Sequence, residues 1–209
     1  MEPRPRNCPN RHCLCLFHTY DEEERLCFGV LPQEDWVDHD GLLDFMRRCE
    51  DGEPTDFNLP DAEGKPRSLA EFKGKVVLVF FGFAQCPDVC PTALGRAIEV
   101  RKLLGADGER VQVVFITVDP ERDTPQVLRE YMKAYDPSFI ALRGNAEQLA
   151  ATAKEFKVYF QKVPTSSSYT MDHTAVTYAF DPQGRLRLAL KHEQSAQDVA
   201  ADLRNLLRE

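Results

Sequence analysis

The fold is decided by residues 75–91, which read KVVLVFFGFAQCPDVCP. The nearly unbroken apolar run over 75–83 predicts a central β-strand covered on both faces. Pro91 suits the first turn of a helix, where its missing N–H is not needed. Cys86 and Cys90 are therefore predicted to lie in a strand-to-helix turn, at the edge of the sheet where open α/β folds bind their ligands.

Regular signals continue on both sides of this stretch. Before it, apolar residues and a Gly64 turn predict a hairpin, and after it the cap residues Thr124, Asn145 and Ser195 predict helix starts. The predicted elements are helix 91–104, strand 111–118, helix 124–135, helix 145–156, strands 175–180 and 186–190, and a last helix from 195. With the cysteine turn, this order predicts a thioredoxin-like α/β fold: a mixed central sheet flanked by helices, with a C-terminal β-hairpin and helix.

Two sulfurs in one turn favour soft-metal or redox chemistry. A helix N-terminus stabilises thiolate over thiol through its free N–H groups and its dipole. The C-x-x-x-C spacing is one residue longer than the C-x-x-C of redox thioredoxins, yet both sulfurs can still reach one ion or join as a disulfide. Two thiolates favour Cu(I). A pair of inert buried cysteines is disfavoured, because a Cys-Pro-x-x-Cys-Pro turn is a poor place for core-filling residues.

His173 is the candidate third ligand. It lies directly before the strand that opens the C-terminal hairpin, and in a thioredoxin-like fold that corner faces the cysteine turn. A lone histidine is more often an ordinary surface or core residue, but a cysteine pair opposite it favours a ligand. We therefore predict a metal site formed by Cys86, Cys90 and His173. Asp172 is a candidate fourth ligand for Cu(II).

Residues 1–51 differ in character from residues 52–209 and are predicted to form an irregular, acidic N-terminal extension. They show no sustained apolar period, and they hold five of the seven cysteines: Cys8, Cys13, Cys15, Cys27 and Cys49. Cysteine and histidine are zinc and copper ligands, but their spacing here matches no standard zinc pattern. We expect a poorly ordered extension, and a second metal site in this segment is the alternative.

The composition excludes several classes of function. The formal net charge of the 209-residue chain is −8, which is unsuited to nucleic-acid binding because phosphate neutralisation needs a Lys/Arg surplus. No apolar run approaches the ~18 residues of a membrane helix. The N-terminus lacks the apolar region of a secretory signal, and Met46-Arg-Arg before Cys49 does not resemble a lipobox. We expect no nucleic-acid partner and see no membrane anchor in the sequence.

Four motifs in this order resemble the Sco/SenC family of copper-binding proteins. They are the cysteine loop Phe80–Pro91, Asp119–Thr124 after the second strand, Lys162–Pro164 and Asp172–Thr174. The resemblance covers about residues 54–209. It implies a thioredoxin-like fold in which Cys86, Cys90 and His173 bind one copper ion per domain.

The resemblance also implies a partner and a compartment. Sco proteins help to deliver copper to the CuA centre of cytochrome c oxidase subunit II, and some reduce the cysteines of that centre. A copper donor protein is expected upstream. The Sco domain faces the periplasm or cell envelope, or the intermembrane space in mitochondria. It normally follows a membrane anchor or lipoprotein signal, which residues 1–51 do not show.

Competing functions remain open from the residues alone. A thiol–disulfide oxidoreductase would use Cys86 as the attacking thiolate and Cys90 to resolve the mixed disulfide, with His173 tuning the pKa. A copper-dependent redox sensor finds no receiver, kinase or DNA-binding pattern to support it. A peroxiredoxin-like peroxidase is disfavoured because Phe83, not threonine, lies three residues before Cys86. Asp119 is expected to cap or orient the site region, or to close its turn.

Overall fold

The computed structural model describes residues 55–208 and two short strands nearer the N-terminus. These strands, β1 (Thr19–Tyr20) and β2 (Leu26–Cys27), pair antiparallel. The rest of the predicted N-terminal extension, the side chains of its five cysteines and the boundary at residue 52 lie outside the described residues. Over residues 55–208, no helix combines the length and the apolar character needed to cross a membrane.

Residues 55–208 contain every strand and helix that the sequence predicts, in the predicted order, together with the additional strands β7, β8 and β9. The strands are β3 (Asn58–Pro60), β4 (Pro66–Ser68), β5 (Val76–Gly82), β6 (Val111–Thr117), β7 (Ile140–Leu142), β8 (Phe160–Pro164), β9 (Tyr169–His173), β10 (Val176–Phe180) and β11 (Leu186–Lys191). The α-helices are α1 (Val89–Leu104), α2 (Pro125–Tyr135), α3 (Ala146–Glu155) and α4 (Ala196–Leu206).

Five of these strands form the central sheet, in the order β11-β10-β5-β6-β7. The strands β5, β6 and β7 run parallel, whereas β10 is antiparallel to both β5 and β11. Every residue of β5 and β6 is buried, as the apolar runs predict. This sheet has both faces covered because parallel strands joined by helices carry those helices on their faces.

Aromatic side chains show which helices cover each face. Phe115 on β6 packs edge-on against Tyr131 of α2, and the neighbouring Phe80 on β5 lies on the same face. Phe81, which points to the opposite face, packs against Phe156 at the end of α3, with ring centroids 5.3 Å apart. Helices therefore flank a mixed sheet, and the predicted α/β class is confirmed.

The helix starts follow local capping chemistry. Thr124 Oγ1 accepts a hydrogen bond from Val127 N–H, and the Asn145 and Gln148 side chains form a reciprocal capping box. Helix α1 begins at Val89, two residues before the predicted start at Pro91. The Asp88 carbonyl accepts the first helical hydrogen bond, from Thr92 N–H. Pro91 is tolerated in this first turn because the N–H groups of a first turn have no partner within the helix. Cys90 consequently lies inside α1.

Within residues 55–208, two hairpins lie outside the central sheet. The hairpin β3–β4 turns at Gly64, as the sequence predicts. The hairpin β8–β9 and the short strand β7 were not predicted. Four of the five residues of β8 are exposed, so its sequence carries no alternating apolar pattern. Strand β7 is only three residues long, too short to show a pattern.

The end of β5 requires a residue without a side chain. A Cβ built on Gly82 would lie 2.7 Å from Cys90 Sγ, 2.9 Å from the Phe115 ring and 3.0 Å from the Phe80 ring. These distances are too short for carbon atoms in contact. Gly82 thus allows the Cys90 sulfur to pack directly against the strand backbone.

We expect Gly82→Ala to lower the free energy of unfolding by about 1–3 kcal/mol, because an added methyl group overpacks this point. Chemical denaturation measures the change. Gly95→Ala in α1 is the matched control: its Cβ would meet nothing within 4 Å, and helix propensity predicts a gain of about 0.5–1 kcal/mol. Equal stability of Gly82→Ala and the parent would contradict the packing described.

Candidate metal centre

The two cysteines of the turn are free thiols with different surroundings. Cys86 lies in the loop between β5 and α1 and is half-buried, whereas Cys90, in the first turn of α1, is fully buried. The Cys86 N–H donates to the Phe83 carbonyl (3.2 Å), and the Cys90 N–H donates to Cys86 Sγ (3.4 Å). The loop backbone and the start of α1 therefore fix the position of the Cys86 sulfur.

His173 reaches this pair from the last position of β9. Its Nε2 lies 3.7 Å from Cys90 Sγ, and its Nδ1 lies 3.1 Å from the Thr174 carbonyl oxygen. A carbonyl oxygen only accepts, so Nδ1 carries the proton and the Nε2 lone pair faces the sulfurs. The Phe80 and Phe83 rings meet the imidazole edge-on, at centroid distances of 6.0 and 5.8 Å. The ring is thus held in the tautomer that binds a metal.

The structure brings the three predicted residues together. The ligand atoms of Cys86, Cys90 and His173 all lie within 4.8 Å of one another. Within residues 55–208, the metal-ligating group contains these three residues alone, so Asp172 and Asp119 are not part of it. Two sulfurs and one imidazole nitrogen form a donor set that suits Cu(I).

The two thiols are strongly asymmetric in acidity. Hydrogen bonding from the Cys90 thiol, with further bonds from backbone N–H groups, lowers the pKa of Cys86 to about 3. The pKa of Cys90 is raised well above its usual range. The causes are the hydrogen bond of Cys90 to Cys86, the burial of Cys90 and the negative charge of Cys86. The reduced pair therefore consists of a Cys86 thiolate and a Cys90 thiol near neutral pH.

A short loop after β6, residues 119–123, contacts the backbone just before the cysteine turn. The buried Asp123 carboxylate accepts the Ala84 N–H (3.0 Å), two residues before Cys86, and the Thr117 hydroxyl. Burial raises the pKa of Asp123, and these hydrogen bonds oppose that shift. The expectation that Asp119 closes or orients its turn was incomplete: its buried carboxylate accepts hydrogen bonds from Arg122 and Tyr169.

The sequence analysis missed Arg122, Asp123 and Tyr169 as residues that support the site. Arg122 and Asp123 lie within the Asp119–Thr124 motif, so the motif was the available signal. Tyr169 carried no signal, because its contacts with Asp119 and Arg122 span about fifty residues of chain.

Comparison with known proteins identifies the family. The SCO1/SenC family model matches residues 48–208, a range that includes the cysteine turn and both strands of the β8–β9 hairpin. The chain belongs to the SCO1/SenC family. The prediction made from the cysteine loop and the three further motifs is therefore confirmed.

Relatives and solved structures agree with this assignment. A SCO2-like protein of Rickettsia felis is 41% identical over 140 residues, which span 66% of this chain and 67% of that protein. Bradyrhizobium japonicum ScoI with copper bound has a TM-score of 0.66 at 40% identity, covering 73% of this chain and 98% of its own. BsSco, described with a disulfide switch and as a member of the Sco family of cytochrome c oxidase assembly proteins, has a TM-score of 0.57 at 25% identity, over 75% of this chain and 93% of its own. These similarities confirm the thioredoxin-like fold.

The acidity of Cys86 gives a direct test of the site's electrostatics. Because its pKa is lowered to about 3, its alkylation rate with iodoacetamide should stay nearly constant between pH 5 and 8. An ordinary thiol with a pKa near 8.5 slows about tenfold for each pH unit over this range, and N-acetylcysteine provides that reference. Cys90 should stay unmodified in the folded chain. Peptide mass spectrometry follows both sites, and a tenfold fall per unit at Cys86 would contradict the assignment.

Proposed function

We propose that this protein is a copper metallochaperone that binds one copper ion through Cys86, Cys90 and His173. The observation that carries the proposal is the convergence of two sulfurs and one imidazole nitrogen within 4.8 Å. A family relative with 40% identity has been solved with copper bound, which supports copper as the cargo. Both thiols are free and can therefore serve as thiolate ligands.

The arrangement suits transient rather than permanent binding. Cys86 enters as a thiolate and His173 presents its Nε2 lone pair, so only Cys90 must lose a proton when it coordinates. Affinity should therefore weaken as the pH falls, because protons compete for the sulfurs. Three ligands would leave one side of a Cu(I) ion open, and the half-buried Cys86 is the more accessible of the two sulfurs. A partner's ligands can replace those of this chain one at a time.

We propose the CuA centre of cytochrome c oxidase subunit II as the acceptor and a separate copper-binding protein as the donor. BsSco is described as belonging to a family of cytochrome c oxidase assembly proteins, which supports this class of acceptor. The acceptor determines the compartment. The site would work in the periplasm or cell envelope, or in the intermembrane space of a mitochondrion. The folded domain proposed to do so is residues 52–209.

A spectroscopic titration of the full chain tests the copper site. The N-terminal cysteines would bind copper too, so the parent for this experiment carries serine at all five: Cys8, Cys13, Cys15, Cys27 and Cys49. One equivalent of Cu(II) added to this reduced parent should give an intense thiolate-to-copper charge-transfer band. We expect Cys86→Ser to abolish the band and His173→Ala to shift or weaken it. His192→Ala, at a histidine outside the cluster, should leave it unchanged. An unchanged band in His173→Ala would overturn the proposed ligand set.

A second candidate function, thiol–disulfide reduction, is favoured by the asymmetric acidity of the pair. The Cys86 thiolate would attack one sulfur of an oxidised partner, forming a mixed disulfide and releasing the partner's other sulfur as a thiolate. Cys90, after losing its proton to solvent, would attack Cys86 Sγ and release the partner's second thiolate. The products are a Cys86–Cys90 disulfide and a reduced partner, so two electrons pass to the partner.

Trapping the mixed disulfide tests this second function. The Cys90→Ser variant, mixed with an oxidised CuA domain of subunit II, should accumulate a disulfide-linked adduct through Cys86. A non-reducing gel and peptide mapping identify the adduct. The Cys86→Ser variant is the control and should give none. If Cys90→Ser also gives none, the reductase function is excluded for this partner and the chaperone function is unaffected.

A further inference from the structure

The β8–β9 hairpin carries His173 but has no place in the central sheet. Its two strands pair only with each other among the described strands. Strand β8 is largely exposed, and the tip between the strands is exposed as well. Backbone pairing with the core therefore does not determine where the hairpin lies. The short connection to β10, the buried Met171 and further side-chain contacts hold the hairpin in place.

Several of these side-chain contacts are made by Arg122. Its Nη1 donates to the Tyr169 carbonyl oxygen (2.8 Å), and its Nε donates to the Asp119 carboxylate. The guanidinium also stacks over the Tyr169 ring, with Cζ 3.8 Å from the ring centroid. The Tyr169 hydroxyl completes the group by donating to the other Asp119 oxygen (3.0 Å). We call Asp119, Arg122 and Tyr169 the Arg122 clamp.

The clamp joins β9 to the loop that also holds the cysteine turn. Tyr169 is the first residue of β9 and His173 the last, so the clamp fixes the strand that ends at the ligand. At the other end of the loop, Asp123 binds the backbone N–H of Ala84, next to the cysteine turn. The five-residue loop 119–123 therefore contacts both the segment before the cysteine turn and the strand that carries His173. It can thus fix the position of one relative to the other.

Arg122 also contacts Phe83, an aromatic residue that packs against His173. Its Cζ lies 5.9 Å from the centroid of the Phe83 ring, and that same ring meets the His173 imidazole edge-on at 5.8 Å. The side chain is largely buried, with 17% of its surface exposed, so its charge is not free to move into solvent. The planar guanidinium can donate two bonds and stack at once, which an ammonium group cannot do.

We propose that Arg122 is a positioning residue for His173: the Arg122 clamp sets the β8–β9 hairpin so that the imidazole completes the copper site. This inference rests on the proposed copper-binding function and adds a residue that does not touch the ion. Without the clamp, the two cysteines remain in place while the third ligand loses its fixed position. The site then behaves as a two-sulfur site.

The first test measures Cu(I) affinity by competition with a chelator, in the serine parent described above. Arg122→Lys keeps the charge but loses the paired bonds, and Tyr169→Phe keeps the ring but loses the bond to Asp119. We expect Arg122→Lys to weaken Cu(I) binding by roughly 10- to 100-fold, as for other residues that orient metal ligands, and Tyr169→Phe to weaken it less.

Lys162→Gln is the matched control. Lys162 also lies over the Tyr169 ring, at 4.3 Å, but its ion pair with Glu121 is exposed, and we expect a change below about twofold.

A double-mutant cycle separates positioning from general damage to the fold. If Arg122 acts through the imidazole, Arg122→Lys should have no further effect on affinity in a His173→Ala background. An equal loss in both backgrounds would overturn the proposal. So would an unchanged affinity of Arg122→Lys in the parent.

A measurement without copper keeps the clamp testable by itself. Amide hydrogen exchange should accelerate over β9 in Arg122→Lys and stay unchanged in β5 and β6. Unaltered protection of β9 would contradict the clamp even if copper binding changed. If the parent itself binds no copper, the proposed function fails, and the exchange experiment still decides whether Arg122 holds the hairpin.

Discussion

The site depends on the close approach of Cys90 Sγ to the backbone of β5. Because Gly82 has no side chain, the buried Cys90 sulfur and the Phe80 and Phe115 rings can all approach this point of the strand. The hydrogen bond between the two sulfurs and the burial of Cys90 both raise the pKa of Cys90, so the proton stays there and the thiolate forms on Cys86. The more exposed sulfur is thus the more acidic one.

The second half of the site is built in a different way. The cysteines are fixed by a buried strand and a helix, but His173 lies on a hairpin that does not pair with the central sheet. Its orientation comes from the Thr174 carbonyl, two aromatic rings and the loop 119–123. The site therefore combines two sulfurs fixed by the central sheet and α1 with one nitrogen carried by a separate hairpin.

Much of this could be predicted from sequence, because local patterns determine it. The buried strands gave continuous apolar runs, and Thr124 and Asn145 marked helix starts by their capping chemistry. The convergence of His173 on the cysteines followed from the predicted fold rather than from any local pattern, and the structure brings them together. The β8–β9 hairpin gave no periodic signal, since β8 is largely exposed and lacks an alternating apolar pattern. The link between Arg122 and Tyr169 was invisible because those residues are 47 positions apart and meet only in three dimensions.

The topology also has a consequence for how the protein is made. Cys90 and His173 are 83 positions apart, and strand β10, which follows the histidine, pairs directly with β5, which precedes the cysteines. A chain emerging from the ribosome therefore exposes both thiols long before the imidazole exists. Such a nascent chain presents a dithiol that can be oxidised or can capture a stray soft ion. The complete arrangement of two sulfurs and one imidazole nitrogen arises only when the last strands dock.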